Sequence, residues 1–357
     1  MSRRLITAIE IDGAGGHPGA WRGPEVDPGA ILTGELALRA VQRAEEAGVD
    51  IATFVDTLEA PADSAGAVSV RLDALGLAAR IAPSTSRIGL LPTLTVTHTE
   101  PFHVQAQVAT LDWVSSGRGG WVADVSTSAE AASVIGRREP APAAELWREA
   151  RYVVDVSRRL WDSWDDDAII RDASTGRFVD RDRLHYVDYE SPAFSIKGPS
   201  IVPRPPQGHP LTAVKVSTRE ALEAAGDAEL VLLPGSVDLE RRIAAVRGGS
   251  TESPLVLVSV AVLLDEDQAA AERRAEGGSF DYIGGVEGLA ALVREWQTAG
   301  ADGVHFRPAS LEIDVPVIAE KLLPLLKVTA ADRPGTTLRN RLGLSRPANR
   351  YAKGAGR

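Results

Sequence analysis

No cysteine occurs anywhere in the chain, which excludes disulfides, thiolate catalysis and cysteine-ligated metal sites outright. Positive charge is not in surplus either. Lys and Arg number 39 against 49 Asp and Glu, a formal net charge of −10, and general affinity for phosphate backbones rests on clustered Lys and Arg. A small molecule is the expected partner. No window approaches the roughly 20 apolar residues that a transmembrane helix needs. The opening MSRRLITAIEIDG sets two arginines before a short stretch that alternates like a strand, without the longer apolar region of a secretory signal. The reading is a cytoplasmic protein. Also missing are a His-x-x-x-His pair on a helix, a Gly-x-Ser-x-Gly elbow and a P-loop, so metallohydrolase, serine hydrolase and NTPase chemistry lack support.

What is present is an ordinary globular composition, 44% apolar and 25% charged over 357 residues, enough to bury a sizeable core. Short β-rich runs alternate with longer helical patterns, the mark of a parallel sheet wrapped by helices. Strands are predicted over 5–11, 51–55, 87–95, 120–125, 211–216, 230–233, 255–264 and 303–306, eight in all. Helices are predicted over 36–47, 68–81, 101–115, 143–163, 218–226, 237–247, 266–275, 285–299 and 313–327. The fold class is therefore α/β, a (β/α)₈ TIM barrel, and such barrels run to this length as one domain. From 164 to 210 periodicity fails and Asp, Gly and Pro accumulate. This reads as an insertion with at most a small hairpin, lying over the barrel mouth. The barrel domain is assigned to 1–330, and the basic, Gly- and Pro-marked stretch 331–357 to a C-terminal arm, extended, shortly helical or partly disordered.

Active sites of such barrels gather at the carboxyl ends of the strands. Asp56 closes the apolar run IATFVD, where a carboxylate either caps loop amides or contacts a ligand. Thr95, Thr97, His98 and Glu100 end the third strand, Asp124 and Ser126 end the fourth, and His17 lies in the loop after the first. The Gly-rich GAGGHPG at 13–19 is not a dinucleotide fingerprint, because GAWRGPEVDPG intervenes before any helix. The acidic run Asp165–Asp167 has no further ligands at metal-site spacing and reads as solvated. No metal is assigned.

Several stretches together resemble one family. GHPGAWRGP (16–24), FVDTL (54–58), EPFHVQAQVATLDWVSSGRGGW (100–121), the insertion LWDSWDDDAIIRDASTGRFVDRDRLHYVDYESPAFSIKGPSIVPRPPQGHP (160–210), GGVEGLAALVREWQTAGADGVHFRPASL (284–311) and GTTLRNRLGLSRPAN (335–349) look like the two-component, reduced-FMN-dependent monooxygenases related to nitrilotriacetate and dibenzothiophene-sulfone monooxygenase, a branch of the luciferase-like group. The insertion is the most specific of these, since barrel packing does not impose its residue order. The resemblance implies a barrel whose strand ends hold FMNH₂, delivered by a separate NAD(P)H:flavin reductase, to activate O₂ against a small organic substrate. The flavin carries the hard chemistry and the protein positions it and excludes water. By the same resemblance Asp56 contacts the flavin, Thr95 and Thr97 lie against its ring, His17 faces the substrate, and the chain forms a homodimer through barrel-side helices.

The departures fall on the cofactor site. Where the family reads Trp-Asn-Val-Val-Thr-Ser, this chain has WVADVS, so Val122 and Val125 replace an Asn and a Thr and only Ser126 stays. A His and a Tyr of the family align with Pro142 and Trp147. The family's Gln-Ala-Gly-x-Ser-x-x-Gly phosphate motif aligns with VKVSTREA, placing Val216 and Ala221 at glycines and Thr218 at the serine. Lys215 is left as a compensating cation, with Ser217 and Thr218 beside it. The chain is also short between Pro234 and Thr251. These losses admit three outcomes: an FMN site shifted onto Lys215, Ser217 and Thr218; a deazaflavin such as F420; or a cofactor-free barrel kept as a binding subunit.

Overall fold

The computed structural model describes residues 4–23, 26–59, 70–249, 253–328 and 335–352. Strands β1 (Ile6–Ile11), β2 (Ile51–Phe54), β3 (Gly89–Thr95) and β4 (Gly120–Asp124) come first. An insertion follows with the short strands β5 (Ile169–Asp172), β6 (Arg177–Val179), β7 (Tyr189–Glu190) and β8 (Ser195–Ile196). Then come β9 (Leu211–Lys215), β10 (Leu230–Pro234), β11 (Leu255–Leu264), β12 (Tyr282–Gly284) and β13 (Gly303–Pro308). The parallel order is β10-β9-β4-β3-β2-β1-β13-β11, and pairing of β10 with β11 closes the ring at eight strands. β12 adds only to the protruding end of β11, Val262–Leu264.

The strands read as nearly continuous apolar runs because both of their faces are covered. Alternation sorts them. Ile6, Ala8, Ile51, Leu91, Val122, Ala213, Leu232 and Leu257 fill the barrel interior, while Ile9, Phe54, Trp121, Val214, Val231 and Phe306 pack toward the helices. Closure of β13 onto β1 depends on Gly303, where a Cβ would lie 2.0 Å from the Ile6 carbonyl oxygen and 2.6 Å from Leu257 Cδ2.

The helices are α1 (Pro28–Leu32), α2 (Glu35–Glu46), α3 (Ala74–Ile81), α4 (Pro101–Val114), α5 (Ala129–Ile135), α6 (Ala143–Asp162), α7 (Arg219–Ala224), α8 (Leu239–Gly248), α9 (Gln268–Ala275), α10 (Val286–Thr298), α11 (Asp314–Val317), α12 (Leu323–Leu325) and α13 (Leu338–Arg341), with a π-helical stretch Ile318–Leu322 between α11 and α12. No helix among the described residues is long and apolar enough to cross a membrane. The 20-residue α6 is amphipathic: Leu146, Ala150, Val153, Leu160 and Trp161 recur at helical spacing on its buried face.

Two expectations about the periphery are corrected. The insertion carries two hairpins rather than one at most, β5 with β6 and β7 with β8, and it does not cover the barrel mouth. Because α6 starts beyond the carboxyl end of β4 and is roughly 30 Å long, it delivers the chain to the opposite end of the barrel. From there Val187, Tyr189 and Ile196 pack on Val156 and Leu160 of α6 and Phe102 of α4. The expected tail in turn holds a floor for the barrel: Leu338 and Leu342 join the interior cluster from below. Gln207 ties floor to wall. Its Nε2 donates to Asp112 Oδ1 and to the Gly119 carbonyl, both at 2.6 Å, and its Oε1 accepts the Arg339 amide at 3.0 Å. Burial pushes the Asp112 carboxyl up to about 7 against those donated bonds.

Candidate functional site

The alternation that makes the lower barrel apolar brings polar residues inward toward the carboxyl ends: Glu10 above Ala8, Thr53 above Ile51, Asp124 above Val122, Lys215 above Ala213, Ser259 above Leu257, and His305 and Arg307 above Gly303. His305 is the floor of this layer. It is fully buried, with Nε2 2.8 Å from Thr53 Oγ1 and Nδ1 2.9 Å from Ser259 Oγ. Burial drives its pKa down to about 4, so the ring is neutral at pH 7. Thr53 and Ser259 are buried too, which makes the pairs a support rather than an accessible nucleophile.

Above His305 sits an ionic cluster. Arg307 Nε donates to Glu10 Oε1 at 2.9 Å, and Lys215 Nζ lies 3.9 Å from Glu10 Oε2. Burial works to raise the Glu10 pKa, yet the neighbouring His305, Lys215 and Arg307 outweigh it and hold the carboxyl below its usual range. With His305 neutral, the lysine and arginine carry that effect at pH 7. Both cations keep about a third of their side-chain surface exposed, 35% and 37%, so they line an opening.

The rim of β3 and β4 gathers three of the expected residues. Thr95 Oγ1 and Ser126 Oγ are 2.8 Å apart, and the Ser126 amide donates to Thr97 Oγ1 at 2.8 Å. Thr95 is register partner to Asp124, whose carboxyl burial pushes upward. Val122 packs in the apolar layer below and Trp147 in the core between barrel and helices, so neither occupies this rim.

Other expected residues are engaged elsewhere. Both Asp56 oxygens accept backbone amides, Oδ1 from Thr57 in the loop at 2.8 Å and Oδ2 from Ala74 at the start of α3 at 2.9 Å, the arrangement of a capping carboxylate. His17 lines a cleft of about 910 Å³ counted out to open solvent, with Asp12, Trp21, Phe54 and Arg71. Its Nδ1 accepts the Gly19 amide at 2.8 Å, which leaves Nε2 to donate to the Glu276 carbonyl at 3.0 Å. The ring stacks on Phe280, 5.9 Å between centroids. Nδ1 thus braces the loop after β1 internally, while Nε2 and the ring stacking pin that loop to the one before β12.

Lys215, Ser217 and Thr218 are not brought together. Lys215 points into the barrel, whereas Ser217 and Thr218 line an outer groove of about 560 Å³ with Arg219 and Arg242. There Thr218 Oγ1 caps α7 by accepting the Ala221 amide at 3.2 Å, and Val216 and Ala221 are packed into the core. Only Gly235 to Asp238 join β10 to α8. The acidic run lies at the far end of α6 and is paired as well as solvated: Asp165 with His185 at 2.9 Å, Asp166 with Arg346 at 2.6 Å and Asp167 with Arg183 at 3.1 Å. No group of three metal-ligating side chains forms among the described residues.

Sequence reasoning passed over Glu10, Thr53, Ser259, His305 and Arg307. The signal was available, because counting by twos from Ile6 reaches Glu10, and from Gly303 reaches His305 and Arg307.

Comparison with known proteins gives this barrel a family. Residues 17–310 match the luciferase-like monooxygenase family. A pristinamycin IIA synthase component of Streptomyces pristinaespiralis is 33% identical over 338 residues, 93% of this chain and 94% of that protein. Nitrilotriacetate monooxygenase component A of Aminobacter aminovorans is 31% identical over 285 residues, 74% of this chain but 63% of the longer relative. The structure of EDTA monooxygenase from Chelativorans sp. BNC1 superposes with a TM-score of 0.82 over 96% of this chain and 99% of that one, at 19% identity. The resemblance drawn from the sequence is thereby met, and the chain belongs to the luciferase-like monooxygenase family.

Proposed function

We propose that the protein is the oxygenase component of a two-component monooxygenase, taking FMNH₂ from a separate NAD(P)H:flavin reductase and oxidising a small organic substrate as a cytoplasmic homodimer. The observation that carries this reading is the linked hydroxyl cluster Thr95–Ser126–Thr97, set beside the inward Lys215 at the carboxyl rim of a luciferase-like barrel. These groups fit the polar edge of a flavin ring, offering hydroxyl donors and one cation near its carbonyl and nitrogen atoms. When bound, the flavin supplies the electrons that activate O₂. Around it, Asp56 would hold the β2–α3 loop in place as a structural cap, and His17 would fix the loop that walls the cleft.

A second reading is favoured by the phosphate end of the site. The Ala221 amide is taken by Thr218, and the charged trio in the mouth occupies space within the barrel. The near-full-length match to the pristinamycin IIA synthase component is to one member of a multi-subunit synthase. On this reading the chain is a flavin-free partner subunit. Anaerobic titration with FMN, FMNH₂ and F420, followed by flavin fluorescence, separates the two. Saturable micromolar binding of FMNH₂ is expected; no binding of any of the three leaves the flavin-free reading.

A further inference from the structure

Arg307 and Lys215 in the upper barrel keep donors that no described acceptor takes, and both side chains are about a third exposed, 37% and 35%, toward the opening. Arg307 spends only Nε on Glu10, at 2.9 Å. Among the described residues neither of its Nη groups has a protein acceptor. Lys215 Nζ, 3.9 Å from the other Glu10 oxygen, lies beyond hydrogen-bond reach of any acceptor described. The other carboxylates nearby have donors of their own. Asp124 accepts the Val125 amide at 2.8 Å, and burial disfavours its charge. Asp12 faces Arg71 at 3.5 Å and is likewise shifted toward the neutral form by burial. His305 beneath is neutral at pH 7.

Partly desolvated donors without partners favour an incoming anion, and the planar Arg fork with two free Nη groups matches a carboxylate in two-point geometry. We propose that Arg307 and Lys215 form the recognition site for the carboxylate of a small acidic ligand, with Glu10 aiming both side chains into the mouth. A carboxylate monoanion brings less like charge against Glu10 than a phosphate dianion does. This site rests on the mouth being the working end of the barrel, as the proposed function does, but not on flavin binding.

Calorimetric titration of the full-length protein with succinate and with butane-1,4-diol, its uncharged counterpart, at fixed ionic strength tests it. Saturable heat from succinate alone is expected. Arg307→Met and Lys215→Met are each expected to weaken succinate by about 10- to 100-fold, the effect of losing a charge-assisted bond. Arg307→Lys, which keeps the charge without the fork, should fall between and serves if the methionine variant does not fold. Glu10→Gln removes the negative charge beside both cations and should shift preference from acetate toward inorganic phosphate. Absence of succinate binding in protein that still binds FMNH₂ overturns the site. Succinate binding without flavin binding overturns the oxygenase reading instead. If FMN binds more tightly than riboflavin and Arg307→Met abolishes that difference while succinate is unaffected, the anion recognised is the cofactor's phosphate, and the ligand assignment falls.

Discussion

Replacing Asp56 with Ala distinguishes a carboxylate that builds the site from one that touches its ligand. Ala74 opens α3, and its amide is among the donors that a helix start leaves without an internal partner; Asp56 supplies that partner at 2.9 Å while also accepting the Thr57 amide at 2.8 Å. A bond from an amide to a charged acceptor contributes about 1.5–3 kcal/mol when buried, and loss of a capping side chain typically costs about 1 kcal/mol. Because Asp56 is only partly buried, water recovers part of what is lost, and a total of about 1–3 kcal/mol is expected. Urea unfolding of wild type and Asp56→Ala at pH 7 reads this as a lower midpoint at unchanged slope. Flavin titration of the same two proteins should agree within about twofold, a difference of under 0.5 kcal/mol. A wild-type midpoint combined with flavin binding weakened more than about tenfold would refute the capping role and restore the carboxylate to the ligand.

Gln207→Ala removes three hydrogen bonds among buried partners and leaves the Gly119 carbonyl and Arg339 amide without them; a loss of about 3–5 kcal/mol in urea unfolding is expected, and a loss below about 1 kcal/mol would show that the floor is not fastened there. For His305 the native pKa of about 4 lies below its ordinary 6.5, so the unfolded chain takes up the proton first and stability falls as pH drops from 6.5 toward 4, by up to about 3 kcal/mol. Unfolding curves of His305→Gln across that window should be flatter than wild type by a comparable amount; parallel curves would mean the ring is not held neutral.

Much of the architecture was legible because each barrel strand obeys a period of two and each long helix a period near 3.6. β11 was read residue for residue at 255–264, and the other seven barrel strands within two residues of their ends. Elements too short for a period to show were missed: α5, announced only by the Ser128 cap on the Ala131 amide, and the three-residue β12. The destination of the insertion was hidden for a different reason, since it follows from the direction of α6 and not from the insertion's own residues. The site was half legible. Strand-end position pointed to Thr95, Thr97, Asp124 and Ser126, which the fold gathers at one rim, but the ionic cluster is assembled from Glu10 and Arg307, nearly the whole chain apart in sequence. Phosphate-site reasoning grouped Lys215 with Ser217 and Thr218, although in the fold the lysine turns into the barrel and the two hydroxyls line the groove outside it.

Leu338 and Leu342 seat themselves in the barrel from a segment translated after β13. A nascent chain can therefore line up all eight strands while its underside still exposes Ile6, Leu230 and Leu255 to solvent, a state in which chaperones or aggregation compete with completion. Sealing is a late, long-range event, and ribosome-stalled chains ending before Leu338 should be conspicuously more sensitive to protease than released ones.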